Sequence, residues 1–267
     1  MMVFSLFVAL ILERLRITPE AWKLDPTAER WDNWLNQKDD IQRWRNHDLF
    51  GPLLLVAPAI LLAVLLSLNN SVLAALLINI IVLTLVIGCR SYRTALRQYF
   101  LAAKRGDEEE LEAQAETLEY LKDAGLSTGQ QLVWLNFRFY AAVSIWFILL
   151  GAPGALAYGL LRSRAEVFPH VLAWVEWLPL RICAFGYVLV GHFSKAMPVW
   201  LKMVPEGVDN PPQQLVDVAV AAEELPQHVN DDEKHWVEAE NLVNLVRRNM
   251  ILILVIVAFA TLLGWVV

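Results

Sequence analysis

The chain is poor in the residues that most often carry chemistry. It has two cysteines, Cys89 and Cys183, both at the edges of apolar runs. Such places suit small packing residues better than a disulfide or a metal site. The histidines, His47, His170, His192, His228 and His235, form no HxxxH or HExxH pattern, so zinc ligation is not expected. Rossmann and P-loop glycine spacings are missing, as are internal repeats and low-complexity tracts. Charge is scarce too: Asp, Glu, Lys and Arg make up 19%, and the net charge of -6 argues against a nucleic-acid partner. No carboxylates pair at one level, since Glu13 and Glu176 lie in different segments. Ser194 and His192 are two apart and would point to different faces of a helix. No catalytic residue, resident cofactor or metal ligand is therefore assigned.

What the chain has instead is apolar length. Hydrophobic residues reach 57% and the mean hydropathy is +0.44, which places it in the polytopic membrane class. The expected fold is all-α: a membrane helix bundle with cytoplasmic helical segments, the lipid bilayer being its first partner. The organising stretch is Phe139 to Leu161, an uncharged run of 23 residues, enough to cross a hydrocarbon core roughly 30 Å thick. Gly151, Pro153 and Gly154 interrupt its middle, Asn136 and Arg138 precede it, and Arg162 and Arg164 follow it.

Residues 1–16 read as an interfacial or re-entrant helix, too short to span and lacking a positive n-region or cleavage site, so retention is expected. Glu13 and Arg14 at its end are either a surface pair or a pair drawn into a membrane-level pocket. Residues 17–48 interleave Trp22, Trp31, Trp34 and Trp44 with basic residues, a composition for the headgroup layer that would also stack on bases. Residues 49–89 are expected to form a transmembrane hairpin turning at Asn69 and Asn70, with Pro58 kinking the first leg.

Both flanks of that hairpin are basic, which places 90–138 in the cytoplasm. Within it Asp107 is the expected N-cap of a helix whose Leu111, Ala115, Leu118 and Leu121 share one face and which ends near Gly125. Its acidic side is a solvated surface or a surface for a regulatory protein partner. Residues 139–204 hold the broken span and then a polar span from about Arg181 to Leu201, which needs shielding from lipid. Residues 205–249 form an acidic cytoplasmic segment with a helix start at Asn210, Pro211 and Pro212 and a second helix from Asp231. That helix continues into a last span, 250–267.

Near membrane level the polar groups are Glu13, Arg14, Asn136, Arg138, Arg162, Arg181, His192 and Lys195. Guanidinium groups beside a broken helix suit a phosphate or carboxylate, so these residues form a candidate site for an anionic small molecule. Arg90, Arg93, Arg97, Arg247 and Arg248 read as headgroup contacts, while Arg138 and Arg181 fit either role. His192 lies inside an apolar run, where packing is the commoner role.

Several blocks carry a family likeness: WLNFRFY at Trp134 to Tyr140, LAYGLLR after the glycine-proline break, HVLAWVEWLPLR at His170 to Arg181, and GHFSKAMPVW at Gly191 to Trp200. With ILERLR at Ile11 to Arg16 and LDPTAERW at Leu24 to Trp31, the chain resembles the AmpE family. The resemblance implies a bacterial inner-membrane regulator linked to β-lactamase induction and cell-wall stress, whose anionic ligand would be a nucleotide or a cell-wall fragment. AmpE proteins are distantly similar to the CbiB/CobD cobinamide-phosphate synthases, which implies a re-tasked membrane ligase or transferase as the alternative. By that resemblance Leu135 and Phe139 stand where the synthases' first motif carries acids, and Leu160 to Arg164 stand in place of a polar, Asp-containing segment further on. A ligase holding magnesium and nucleotide phosphate depends on such carboxylates, so a non-enzymatic role is the leading expectation.

Overall fold

A computed structural model of the chain describes residues 2–14, 24–37, 50–69, 71–87, 90–121, 125–223 and 234–263. Every regular element among them is a helix, so the fold is all-α. The helices are α1 Met2–Arg14, α2 Leu24–Asn36, α3 Phe50–Leu55, α4 Ala57–Leu68, α5 Val72–Val86, α6 Arg90–Arg105, α7 Glu108–Leu118, α8 Thr128–Asn136, α9 Ala142–Ser163, α10 Pro169–Val190, α11 Phe193–Met203, α12 Pro211–Ala222 and α13 Lys234–Leu262, with a π-helical turn, Phe137–Ala141, joining α8 to α9. The chain divides into two compact units, one of residues 1–88, 142–179 and 254–267, the other of residues 89–141 and 180–253.

Among the described residues, three stretches are long and apolar enough to cross a membrane: Thr128–Ser163, Pro169–Val190 and Trp236–Leu262. The expected hairpin differs. Its first leg breaks at Val56 (φ -85°, ψ 2°), leaving α4 with 12 residues, and α5 has 15, both short of the roughly 20 that a spanning helix needs. The break is chemical: Pro58 lacks an N–H and sits in the first turn of α4. Asn69 Oδ1 accepts from Ser71 N at 2.9 Å, which tightens the turn between the legs.

In the first unit α9 packs on α2, α4 and α5, and α1 packs on α5 and α9. The face of α1 carrying Ser5, Leu6, Ala9 and Glu13 is buried, while Phe4, Phe7 and Ile11 are exposed. Apolar side chains also cover the outer faces of α4 and α5, among them Leu61, Val64, Leu65, Leu73 and Leu77. Contiguous exposed apolar faces of this kind call for a hydrocarbon neighbour rather than water.

The break in α9 is at Gly151, with φ 71° and ψ -160°, a region of backbone space that is essentially restricted to glycine. Pro153 then starts the second half, where its missing N–H costs no helical bond. This is the expected glycine-proline interruption.

The second unit has its own core: Tyr99, Leu118, Leu132, Leu135, Phe139, Ala239 and Val243, with Leu111, Ala115 and Trp236 packed against it. Asp107 caps α7 by accepting from Glu110 N at 3.2 Å, as its side chain and position predict. The helix stops at Leu118 rather than near Gly125. Gln131 holds the following chain in both directions, donating to Leu121 O at 3.0 Å and accepting from Leu121 N at 3.1 Å. Buried backbone groups that a side-chain amide satisfies in this way need no further helical turn.

The polar stretch Arg181 to Leu201 is two helices and not one span. The chain turns at Gly191 and His192, whose backbone is extended (φ -79°, ψ 91°) and whose N–H is taken by Ala222 O at 2.8 Å. The helix start at Asn210 is present, with Asn210 left-handed at φ 49°. From Lys234 the last helix runs uninterrupted for 29 residues, as expected; Asp231 and Asp232 lie outside the described residues.

Candidate functional site

The start of α8 is held more firmly than its length explains. Ser127 and Gln130 form a capping box, in which two otherwise orphan N–H groups are satisfied reciprocally. Glu238 of α13 then accepts from Ser127 Oγ and Gln130 Nε2, each at 3.1 Å. Gly129 packs so closely on Ala239 that a β-carbon there would lie 2.8 Å from the Ala239 Cα. Nearby, burial pushes the Tyr99 phenol above its ordinary value; Glu238 adds to this and a hydrogen bond with Thr128 opposes it.

Beyond α8 the π-turn sets the directions of Arg138, Phe139 and Tyr140. Single π-turns inserted into helices often accompany functional sites, because the extra residue re-aims side chains. Arg138 lies over the Trp134 ring at 4.8 Å and the Tyr120 ring at 5.8 Å. Its Nη1 donates to Tyr120 Oη at 3.3 Å. On α6, Arg93 lies 5.9 Å over the Tyr140 ring and donates to Tyr140 Oη at 3.2 Å. Tyr92, Tyr120 and Phe139 form a near-equilateral triangle of rings, with centroids 6.0, 6.0 and 6.1 Å apart. Both arginines are half-buried, as is Asn136 at the end of α8. Each of these two half-buried guanidiniums is thus set on the face of an aromatic ring, an arrangement that holds its orientation by cation–π attraction.

The other arginines are placed differently. Arg181 is buried, and its guanidinium donates to Val204 O and Met203 O, both at 3.2 Å, and also to Glu206 O. It thereby satisfies the orphan carbonyls at the end of α11. Trp200 Nε1 donates back to Arg181 O at 3.2 Å. His192 and Lys195, at the start of α11, are exposed.

In the first unit Arg162 is buried and donates to Val86 O, 3.0 Å away, at the end of α5. Glu13 is buried on α1; the side chain of Arg14 lies outside the described residues. A hydrogen bond and an ion pair that the sequence does not predict also lie here. Tyr158 Oη donates to the buried Glu176 at 2.9 Å, and Arg164 pairs with Asp32 at 3.1 Å. Asp32 lies on α2, whose start packs against Gly159, with Leu24 Cδ2 at 2.6 Å from a β-carbon built there. Tyr158 and Arg164 stand close in sequence on α9, but their partners Glu176 and Asp32 lie in other helices, so the pairing is a tertiary feature. No group of three or more His, Cys, Asp or Glu among the described residues is placed to hold a metal ion.

A family profile described as "Regulatory signalling modulator protein AmpE" matches residues 1–267. The chain belongs to the AmpE family. It is 25% identical to Protein AmpE of Shigella flexneri over 298 aligned residues, covering 99% of each chain. Among relatives outside the AmpE proteins, it is 28% identical over 184 residues to the cobalamin biosynthesis protein CobD of Stutzerimonas stutzeri, covering 61% of this chain and 60% of that one. A CobD of Chromobacterium violaceum is 32% identical over 79 residues, about a quarter of each chain (24% and 25%). No solved structure matches. In this AmpE-family chain the motif WLNFRFY coincides with the end of α8 and the π-turn, so the block that carries the likeness also carries Asn136, Arg138 and Tyr140.

Proposed function

We propose that this AmpE-family chain is a multi-pass protein of the bacterial inner membrane. It relays cell-wall stress toward β-lactamase induction by binding an anionic ligand, a nucleotide or a cell-wall fragment, near the cytoplasmic face. The observation that supports this reading is the seating of Arg138, within the π-turn and two residues after Asn136, on the Trp134 and Tyr120 rings. A guanidinium held by aromatic faces is pre-organised, so little rotamer entropy is lost when an anion arrives. Binding shifts a conformational equilibrium only by the difference in affinity between the two states. The ligand must therefore bind one arrangement of the helices around the π-turn better than another, and a regulatory protein partner reads the difference.

The test is native mass spectrometry of the purified protein beside β-lactamase induction in cells. An anionic adduct lost in Arg138→Gln, together with a loss of induction, supports the reading. Unchanged adduct and unchanged induction would remove it. The CobD likeness keeps a re-tasked membrane transferase as a second reading; turnover of a phosphorylated amino-alcohol with ATP by the purified protein would promote it.

A further inference from the structure

We propose that the hairpin formed by the second half of α10 and by α11 lies in the headgroup layer of an anionic leaflet, neither completing a span nor standing in water. The turn sets the level. Trp200 of α11 donates to Arg181 O, and the Arg181 guanidinium donates to the Met203, Val204 and Glu206 carbonyls. The end of α11 thus comes back beside Arg181, nine residues, or about 13 Å, before α10 ends at Val190. The loop that follows α11 is exposed at Glu206 and Asp209, and carboxylates are costly at hydrocarbon depth. Arg181 therefore marks a level that water reaches. The division between the two compact units falls at the same place, between Pro179 and Leu180.

Beyond that level the hairpin does not have a surface made for water. Ile182 and Leu189, seven apart on one face of α10, are 43% and 48% exposed, and Phe193 and Leu201, eight apart on one face of α11, are 53% and 56% exposed. Large apolar side chains bared so close together call for cover. The charges select what covers them. Residues 180–203 contain no Asp or Glu, although acidic residues outnumber basic ones in the whole chain, 28 to 22. Lys195 and Lys202, seven apart and both exposed, form a second line on α11 beside the apolar one. Lysine stems lie along apolar surface while their ammonium groups reach lipid phosphates. An apolar stripe bordered by lysines is the pattern of a helix that rests in the membrane interface. That layer, roughly 5–8 Å thick on each side of the hydrocarbon core, admits both the apolar side chains and the neighbouring carboxylates.

The experiment uses the full chain with Cys89→Ala, since Cys183 is buried, in nanodiscs of phosphatidylcholine alone or mixed with phosphatidylglycerol. A nitroxide is attached in turn to Phe193→Cys, Leu201→Cys and Asp209→Cys; collision with oxygen reports acyl chains, and collision with nickel-EDDA reports water. The expected result is a mobile label at 193 and 201 that meets oxygen more than nickel, at a depth just below the headgroups, while the label at 209 meets nickel. Adding phosphatidylglycerol should lower nickel access at 201 roughly threefold or more, and Lys202→Glu should abolish that drop. Ser194→Cys, exposed on the same helix, stands in for either labelled variant that does not melt with the parent. Labels at 193 and 201 as open to nickel as the one at 209 would place the hairpin in water. Labels at the depth of the bilayer centre would restore a span, and immobilised labels that neither collider reaches would assign the face to protein. Each of these three results overturns the proposal, as does equal nickel access in the two lipids.

Discussion

Asn249 fills the notch that Gly186 leaves on the neighbouring helix. Its Nδ2 donates to Cys183 O at 3.2 Å and to Cys183 Sγ at 3.3 Å. A β-carbon at 186 would overlap Asn249 Oδ1. The α10 and α13 backbones thus approach closely around one buried amide, the kind of contact by which small residues let helices pack in a bilayer.

Gly186→Ala should therefore destabilise the protein by about 1–3 kcal/mol, the usual cost of overpacking. Thermal melts in detergent check this. Because the added methyl strikes one side chain, Asn249→Ala should relieve part of the cost in the double variant, although alone it is destabilising through the lost hydrogen bonds. Strict additivity of the two changes would show that the notch is not the source of the strain.

Gly151→Ala tests the break in α9. At φ 71° and ψ -160° a β-carbon is strained regardless of the space around it, and a penalty of about 1–3 kcal/mol is expected. The expected readout is a lower melting temperature, with an increase in helical signal if the segment straightens.

The Tyr99 phenol is raised mainly by burial and secondarily by Glu238. Its ionisation is suppressed in the folded state, while the unfolded chain ionises near its ordinary value of about 10. The contribution to stability is complete below that value and is lost as pH climbs toward the folded-state pKa. Tyr99→Phe should shallow the alkaline fall in stability while costing stability at neutral pH through its bond with Thr128. Denaturation at a series of alkaline pH values measures both.

Arg181→Ala should free the turn at 203–207, since the guanidinium donates to Met203, Val204 and Glu206 carbonyls. Hydrogen bonds from a charged donor contribute roughly 1.5–3 kcal/mol each. Limited proteolysis should cut the variant within this turn several-fold faster than the parent, a local opening rather than global unfolding. An unchanged cleavage rate would place the anchor elsewhere.

The parts of the fold legible in the sequence are those fixed by local chemistry. Asp107, Asn210 with its two prolines, Pro58 and the Gly151–Pro153 break each act on the backbone within a few residues of themselves, and each appears where its residue type predicts. What could not be read depends on distant partners. That α7 ends at Leu118 follows from Gln131, ten positions on from Leu121. That Arg93 lies over the Tyr140 ring and donates to its phenol follows from the tertiary placement of α6; the spacing of Arg90, Arg93 and Arg97 alone suggested only headgroup contacts. Arg181 and Arg138, grouped by their charge in the sequence, have different surroundings, one of main-chain carbonyls and the other of rings.

Two clasps act on α2: Leu24 rests in the space above Gly159, and Asp32 is gripped by Arg164. They lie eight positions apart, about 12 Å along the axis. A rod fastened at two such points can neither swivel nor slide. Glu29, Arg30, Asn33 and Trp34, which line its outward side, are therefore carried on a backbone whose bearing against α9 is already set.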